Sequence, residues 1–139
     1  MECFLVDLML LRLGRWLRLL GQDVANPHET SDDDLLVQAK KEKRTLLTRD
    51  KRLAETCQSQ AIECILIRSS HLPEQLLEIV QRGILLELNP QRCTLCNCAL
   101  QEVESPERRT WICTGCKRAY WKGGHWKNME KMLESIRLV

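Results

Sequence analysis

At 139 residues the chain has room for one ordinary domain, or for a small domain with an appended module. Hydrophobic residues make up 44% of it, enough to bury a core, yet no apolar run approaches the roughly eighteen residues that a membrane span needs. The formal charge of +2 is bland, but it is unevenly spread: residues 1–90 hold 12 Lys and Arg against 14 Asp and Glu, and residues 91–139 hold 9 against 5.

Cys3-Phe4-Leu5-Val6 is a short apolar run with an aromatic and a β-branched residue, which predicts a first strand. Leucines recur from Leu8 to Leu20 with arginines at 12, 15 and 18, predicting an amphipathic helix that ends at Gly21. Asp23-Val24-Ala25 reads as a weak strand before Pro27. Ser31 and the acids Asp32 to Asp34 open a second helix through about Lys43, with Lys40, Lys41, Lys43 and Arg44 at its far end, as the helix dipole favours. Thr45-Leu46-Leu47-Thr48 is a strand, residues 51–58 a short helix, and Cys64-Ile65-Leu66-Ile67 another strand. Pro73 then sits in the first turn of a helix reaching Arg82. Apolar strands alternating with helices predict an α/β domain built on a parallel sheet covered on both faces. That domain is expected to occupy residues 1–88, a small module residues 89–126, and a C-terminal helix residues 127–139.

The small module is defined by Cys93, Cys96, Cys113 and Cys116, two C-x2-C pairs separated by sixteen residues. Two such knuckles bring four thiolates to tetrahedral spacing, which suits zinc in a closed structural site. Paired disulfides of an exported domain are the other use of this pattern. They are disfavoured here, because the first apolar run is broken by Asp7 and Arg12 and does not read as a secretory signal. The expectation is therefore an intracellular setting, cytoplasmic or nuclear, without a membrane partner. Zinc-bound thiolates would offset roughly two of the module's positive charges, so its basic bias points only weakly to a polyanion. Cys3 and Cys64 are expected to be buried small hydrophobes, and Cys98 a bystander beside the knuckle.

Chemistry in an open parallel sheet is sought beyond the carboxyl ends of its strands. Asp7 follows the first strand, Asp50 lies two residues past the third, and Asp32 opens the helix leading into the third, so one edge holds all of them. Gathered carboxylates are what Mg²⁺ or Mn²⁺ requires, and such ions activate water and stabilise charge on a phosphate under cleavage. Each acid has a plainer use. Asp7 and Asp50 can cap the helices that follow them, and Ser31 with Asp34 resembles a capping box. Spacing alone leaves both uses open.

The block from Asp7 to Gly21, with its Arg12-Leu13-Gly14-Arg15-Trp16-Leu17-Arg18 centre, resembles the opening signature of the Mut-7 C-terminal RNase domain family. The likeness continues in Leu46-Leu47-Thr48-Arg49-Asp50, in the cysteine quartet, and in Tyr120-Trp121-Lys122-Gly123-Gly124-His125-Trp126, so it runs through nearly the whole chain. It implies a PIN-like nuclease fold followed by a zinc ribbon, cleaving RNA with Mg²⁺ or Mn²⁺ held by Asp7, Asp32 and Asp50. RNA is the implied partner, with a further protein partner or a larger exonuclease as possible context. Gly14 departs from the family's usual alanine, and Gly124 from its usual serine. Related nucleases often carry a fourth acid near the last strand. Here that region reads Arg68-Ser69-Ser70-His71, and Glu74 is the nearest carboxylate. The alternative is accordingly an inactive RNA- or protein-binding module of the same fold.

Arg12, Arg15 and Arg18 recur every three residues and, with Arg49, are the candidate phosphate-binding residues; a solvated face or pairing with Asp32 to Asp34 is the plain alternative. Trp111, Tyr120, Trp121 and Trp126 lie among Lys117, Arg118, Lys122 and Lys127, a composition that fits stacking of single-stranded bases. A tiny module also needs its aromatics for packing, and docking against the nuclease is the expected role of Trp121, Trp126 and His125.

Overall fold

The computed structural model describes residues 3–122 and 124–137, the side chains of His125 and Arg137 excepted, so the expectation for that histidine lies outside the described residues. Four parallel strands, β1 (Cys3–Val6), β2 (Asp23–Ala25), β3 (Thr45–Thr48) and β4 (Cys64–Leu66), form a sheet in the order β2-β1-β3-β4. Helices α1 (Leu11–Leu19), α2 (Asp32–Glu42), α3 (Lys51–Ser59) and α4 (Leu72–Gln81) connect and cover them. Strand side chains alternate between faces, and both faces are buried. Phe4, Val6 and Leu47 pack with Leu13 and Leu17 of α1 and Leu76 and Ile79 of α4. Leu5 and Leu46 pack on the other side with Leu35, Leu36 and Ala39 of α2 and Leu53 and Cys57 of α3. Two-sided burial is why the strands read as unbroken apolar runs.

The chain leaves β1 toward β2 on one side and returns to β3 on the other. The carboxyl ends of β1 and β3 therefore flank a topological switch point, where a crevice opens. A single 3₁₀ turn, Leu8–Leu10, carries the chain from β1 into α1. Gly21 follows α1 at φ +89°, a left-handed turn into β2 that a side chain would strain.

A second sheet is antiparallel, β5 (Leu100–Val103), β6 (Thr110–Cys113) and β7 (Ala119–Trp121) in sequence order. Helix α5 (Gly124–Arg137) follows. Its Leu133 and Ile136 enter the core formed with α1 and α4, while Trp126 stacks on Trp111 at 5.4 Å between ring centroids. Trp16 and Leu19 of α1 pack against this pair, so the module's small core is completed by the α/β domain. Trp121 departs from the expected docking role: it is 50% exposed, with the Arg108 guanidinium 4.7 Å from its ring centroid. Alternation along β7 turns Tyr120 inward and therefore turns Trp121 out. Cys3 likewise is exposed at the start of β1, whereas Cys57 is buried and Cys64 partly so. Among the described residues no helix is long and apolar enough to cross a membrane.

Edge strand β2 is covered by the first knuckle of the module. The outward amide of Val24 donates to Asn97 Oδ1 at 3.1 Å, and its carbonyl accepts from Arg18 Nε at 2.8 Å. Such pairing removes the open hydrogen-bonding edge that an exposed strand presents. Asp23 sits at the same seam, accepting from Asn97 Nδ2 at 2.6 Å and from Arg44 Nη1 at 2.9 Å, with Arg92 Nη2 at 3.4 Å. Burial pushes its carboxyl up, but the Asn97 and Arg44 hydrogen bonds and the nearby guanidinium charges outweigh that and hold it below its ordinary value of 3.8. A carboxyl lowered on folding stabilises above its unfolded value, and that contribution is lost as pH falls through the folded value. Thermal melts taken from about pH 5 to about pH 3 should therefore show a smaller fall in Tm for Asp23→Asn than for the wild type. An equal fall in both would contradict this role for Asp23.

Candidate functional site

Asp7 lies one residue past β1 and caps the 3₁₀ turn, its Oδ1 accepting from the Met9 amide at 3.0 Å. Its other oxygen accepts from the Thr48 hydroxyl at 2.5 Å. That same hydroxyl accepts the Asp50 amide at 3.0 Å. Thr48 is fully buried at the end of β3, so its hydroxyl links both acids through one fixed group. Asp50 in turn caps α3, with Oδ1 accepting from the amides of Arg52 and Leu53, and Oδ2 takes neither of these bonds. Capping and site formation are thus not alternatives for Asp7 and Asp50, because the same strand ends that start helices also line the crevice.

The crevice is a cleft of about 150 Å³ lined by Asp7, Asp32 and Asp50 together with Glu29 and Thr30 and the apolar Leu8 and Met9. Asp32 is spared from capping because Ser31 takes that role: its hydroxyl accepts the Asp34 amide at 3.1 Å and donates to the Asp34 carboxylate. Asp33 and Asp34 do not line the cleft. Glu29 was not among the expected acids. Its signal was its position in the β2–α2 loop, three residues before Asp32 on the same sheet edge. Glu74, by contrast, accepts from the Ser69 hydroxyl at the start of α4 and is not in the cleft.

The carboxylates of the cleft are spread rather than contracted. Among the described residues, the cysteine quartet alone brings three or more His, Cys, Asp or Glu ligand atoms within 4.8 Å of one another. Oxygen donors with room between them still suit Mg²⁺, which keeps several waters and takes only one or two carboxylates directly. Each Asp7 oxygen also keeps a lone pair beyond its single hydrogen bond.

Among the described residues no arginine lines the cleft itself. Arg12 and Arg15 are exposed on α1, and Arg49, between Thr48 and Asp50, donates to the Arg68 carbonyl while its buried Nε lacks a partner. The place of Arg18 in a phosphate track is corrected. It is 1% exposed, with Nε on Val24 O, Nη1 on Thr94 O and Nη2 on Asn26 Oδ1. A three-residue step falls roughly 60° short of a helical turn, so two steps carry Arg18 about 120° round from Arg12 and onto the buried face.

The four cysteines form two matching knuckles. Asn97 and Lys117, each following the second cysteine of a pair, are left-handed at φ +62° and +63° and donate to the carbonyls of Cys93 and Cys113. Cys98 occupies the position that Arg118 holds in the other knuckle, its carbonyl accepting from the Cys93 amide as that of Arg118 does from Cys113. Its Sγ packs so close to Gly115 that a Cβ there would approach to 2.7 Å. Across the knuckles Cys93 and Cys116 Sγ are 3.6 Å apart, and Cys96 and Cys113 Sγ 3.4 Å. Burial pushes the Cys93 thiol up, but the Tyr120 hydroxyl at 3.0 Å and the amides of Cys96 and Leu95 outweigh it and bring it to about 6. A four-sulfur set of this closeness, with one thiol already inclined to ionise, fits zinc.

The family model described as Mut7-C RNAse domain matches residues 2–133, a span that contains both the cleft and the quartet. No curated protein shows significant similarity to the chain.

Chelation of zinc is expected to open the module, because coordination of this kind contributes on the order of 10 kcal/mol to its own fold. The Trp111–Trp126 stack would lose its cover, so tryptophan emission should shift to the red on chelation and return when Zn²⁺ is restored. An emission spectrum indifferent to both steps would mean that the module holds together without metal.

Proposed function

The chain belongs to the Mut7-C RNase domain family, and from that premise we propose that it is a metal-dependent ribonuclease using Asp7, Asp32 and Asp50 to hold one or two Mg²⁺ or Mn²⁺ ions. The observation that carries this reading is the single cleft lined by all three acids at the switch point of the sheet. An ion bound there would supply an activated water and stabilise charge on the scissile phosphate. Thr48 fixes the Asp7 carboxylate and the Asp50 backbone relative to each other, which preorganises both acids without spending Asp50 Oδ2. Glu29 supplies a fourth carboxylate on the cleft wall, where the region after the last strand has none.

Arg12 and Arg15 on α1 and Arg49 beside Asp50 would receive the flanking phosphates of the strand. Leu8 and Met9 are exposed and line the cleft, giving an apolar lip against which a base can lie. The zinc ribbon is a closed clasp with no open coordination position, and its exposed Trp121 with Arg108 offers a stacking surface that aids RNA binding. Residues 1–88 are the nuclease unit in this reading, residues 89–126 the ribbon, and the C-terminal helix ties the ribbon to the nuclease core.

Cleavage of single-stranded and structured RNA in Mn²⁺ tests this directly. Asp7→Asn and Asp50→Asn are expected to slow the reaction on the order of 10²-fold, the scale at which a single preorganised electrostatic group acts. Thr48→Val should cost less, since it loosens the acids but leaves them charged. A wild type no faster than the Asp variants would defeat the nuclease reading, and RNA binding retained by that inert protein would support a binding module instead.

A further inference from the structure

We propose that the first zinc knuckle sets the shape of the acid cleft through Arg18 and Asn26, with Arg18 as a positioning residue. This rests on the reading of the cleft as a divalent-ion site. Arg18 joins three parts of the molecule that are distant in sequence. Its Nη1 donates at 2.5 Å to the carbonyl of Thr94, which lies inside the knuckle between Cys93 and Cys96. Its Nη2 donates at 3.0 Å to the Asn26 side chain, and its Nε holds the edge of β2. A guanidinium presents its donors in one rigid plane, so a shift of the Thr94 carbonyl is transmitted to Asn26 rather than absorbed.

Asn26 directly precedes the loop that walls the cleft. Pro27, the next residue, lines the cleft with Glu29, Thr30 and Asp32. Pro27 has a fixed φ and holds Asn26 to extended backbone, so little slack lies between the Arg18 bond and the cleft. Residues 28–31 are exposed, which leaves the loop few packing contacts of its own. Gln38 of α2 provides a second anchor, accepting from the His28 amide at 2.9 Å and donating to the Asn26 carbonyl at 3.1 Å. One anchor therefore belongs to the nuclease unit and the other reports on the zinc knuckle. With Arg18 buried, loss of the Thr94 carbonyl would leave a guanidinium donor unpaired away from water, an arrangement that the network must change to relieve.

A purely structural Arg18 would affect stability and nothing else. The experiment is therefore a Mn²⁺ titration of the full zinc-loaded chain, followed by the paramagnetic resonance of free Mn²⁺, in wild type, Asn26→Ala and Asn26→Asp. Zinc content and Tm are measured on the same samples. Asn26→Ala cuts the link at the loop and leaves the Arg18 bonds to Thr94 and Val24 in place. It should weaken Mn²⁺ binding about tenfold, the lower end of what lost support around a metal site costs, while keeping one zinc per chain. Asn26→Asp retains the acceptor and should restore binding to near the wild-type level. Arg18→Lys, which keeps the charge but not the fork, should weaken Mn²⁺ binding as Asn26→Ala does. Unchanged affinity in Asn26→Ala and Arg18→Lys, with Mn²⁺ bound by the wild type, would overturn the coupling and leave the nuclease reading standing. No Mn²⁺ bound by the wild type would overturn both.

Discussion

Val6 pairs with Leu47 in the parallel register of β1 and β3, and this register brings Asp7 level with Thr48. The Thr48 hydroxyl then donates to Asp7 and accepts from the Asp50 amide, so one buried side chain holds the ends of two strands together. Hydrophobic pairing inside the sheet thereby determines where the charged groups stand outside it. The connection to β2 leaves β1 on the opposite side, and the resulting gap is the cleft. Two of the acids do two jobs there: Asp7 and Asp50 satisfy helix-start amides and also face the crevice. A charge that caps a helix is held in place by the fold, which is the preorganisation that metal binding and electrostatic catalysis need.

The cysteine module depends on the same domain in a different way. Its core is the Trp111–Trp126 pair with Met129, finished by residues of α1, and its first knuckle takes up the outward amide of Val24 on edge strand β2. In return, the buried Arg18 gains the Thr94 carbonyl. Burial pulls its guanidinium below the ordinary value, and the neighbouring Cys93 and Cys96 sulfurs oppose that pull. Burial outweighs that opposition, so Arg18 is held at the seam by its hydrogen bonds to Val24, Thr94 and Asn26 and not by a net electrostatic gain. The cysteine quartet and the acid cleft are separate sites, and Arg18 in this seam bonds both the first knuckle and the loop that leads to the cleft.

Strand and helix positions of the α/β domain were legible because they rest on local patterns: β1, β2 and β3 match the expected residues, and β4 and helices α1 to α4 differ by a few residues at their ends. The knuckles were legible from spacing alone. Arg18 was not, since a three-residue stripe does not reveal which member turns inward, and its partners Thr94 and Asn26 lie in loops far apart in sequence. Glu29 escaped because a loop acid has no periodicity to mark it. Trp121 was assigned to packing on composition, but strand alternation decides its exposure, and that requires the register of β7 with β6. Side chains whose role depends on tertiary neighbours were the ones that local reasoning missed.

Metal-dependent cleavage in this cleft requires that the three aspartates hold a divalent ion together. Crystals soaked in Mn²⁺ and measured for anomalous scattering give the most direct answer. Density among Asp7, Asp32 and Asp50, absent in Asp7→Asn crystals, is the predicted result. A cleft without anomalous density, in crystals of a protein that still cleaves RNA in Mn²⁺, would contradict it.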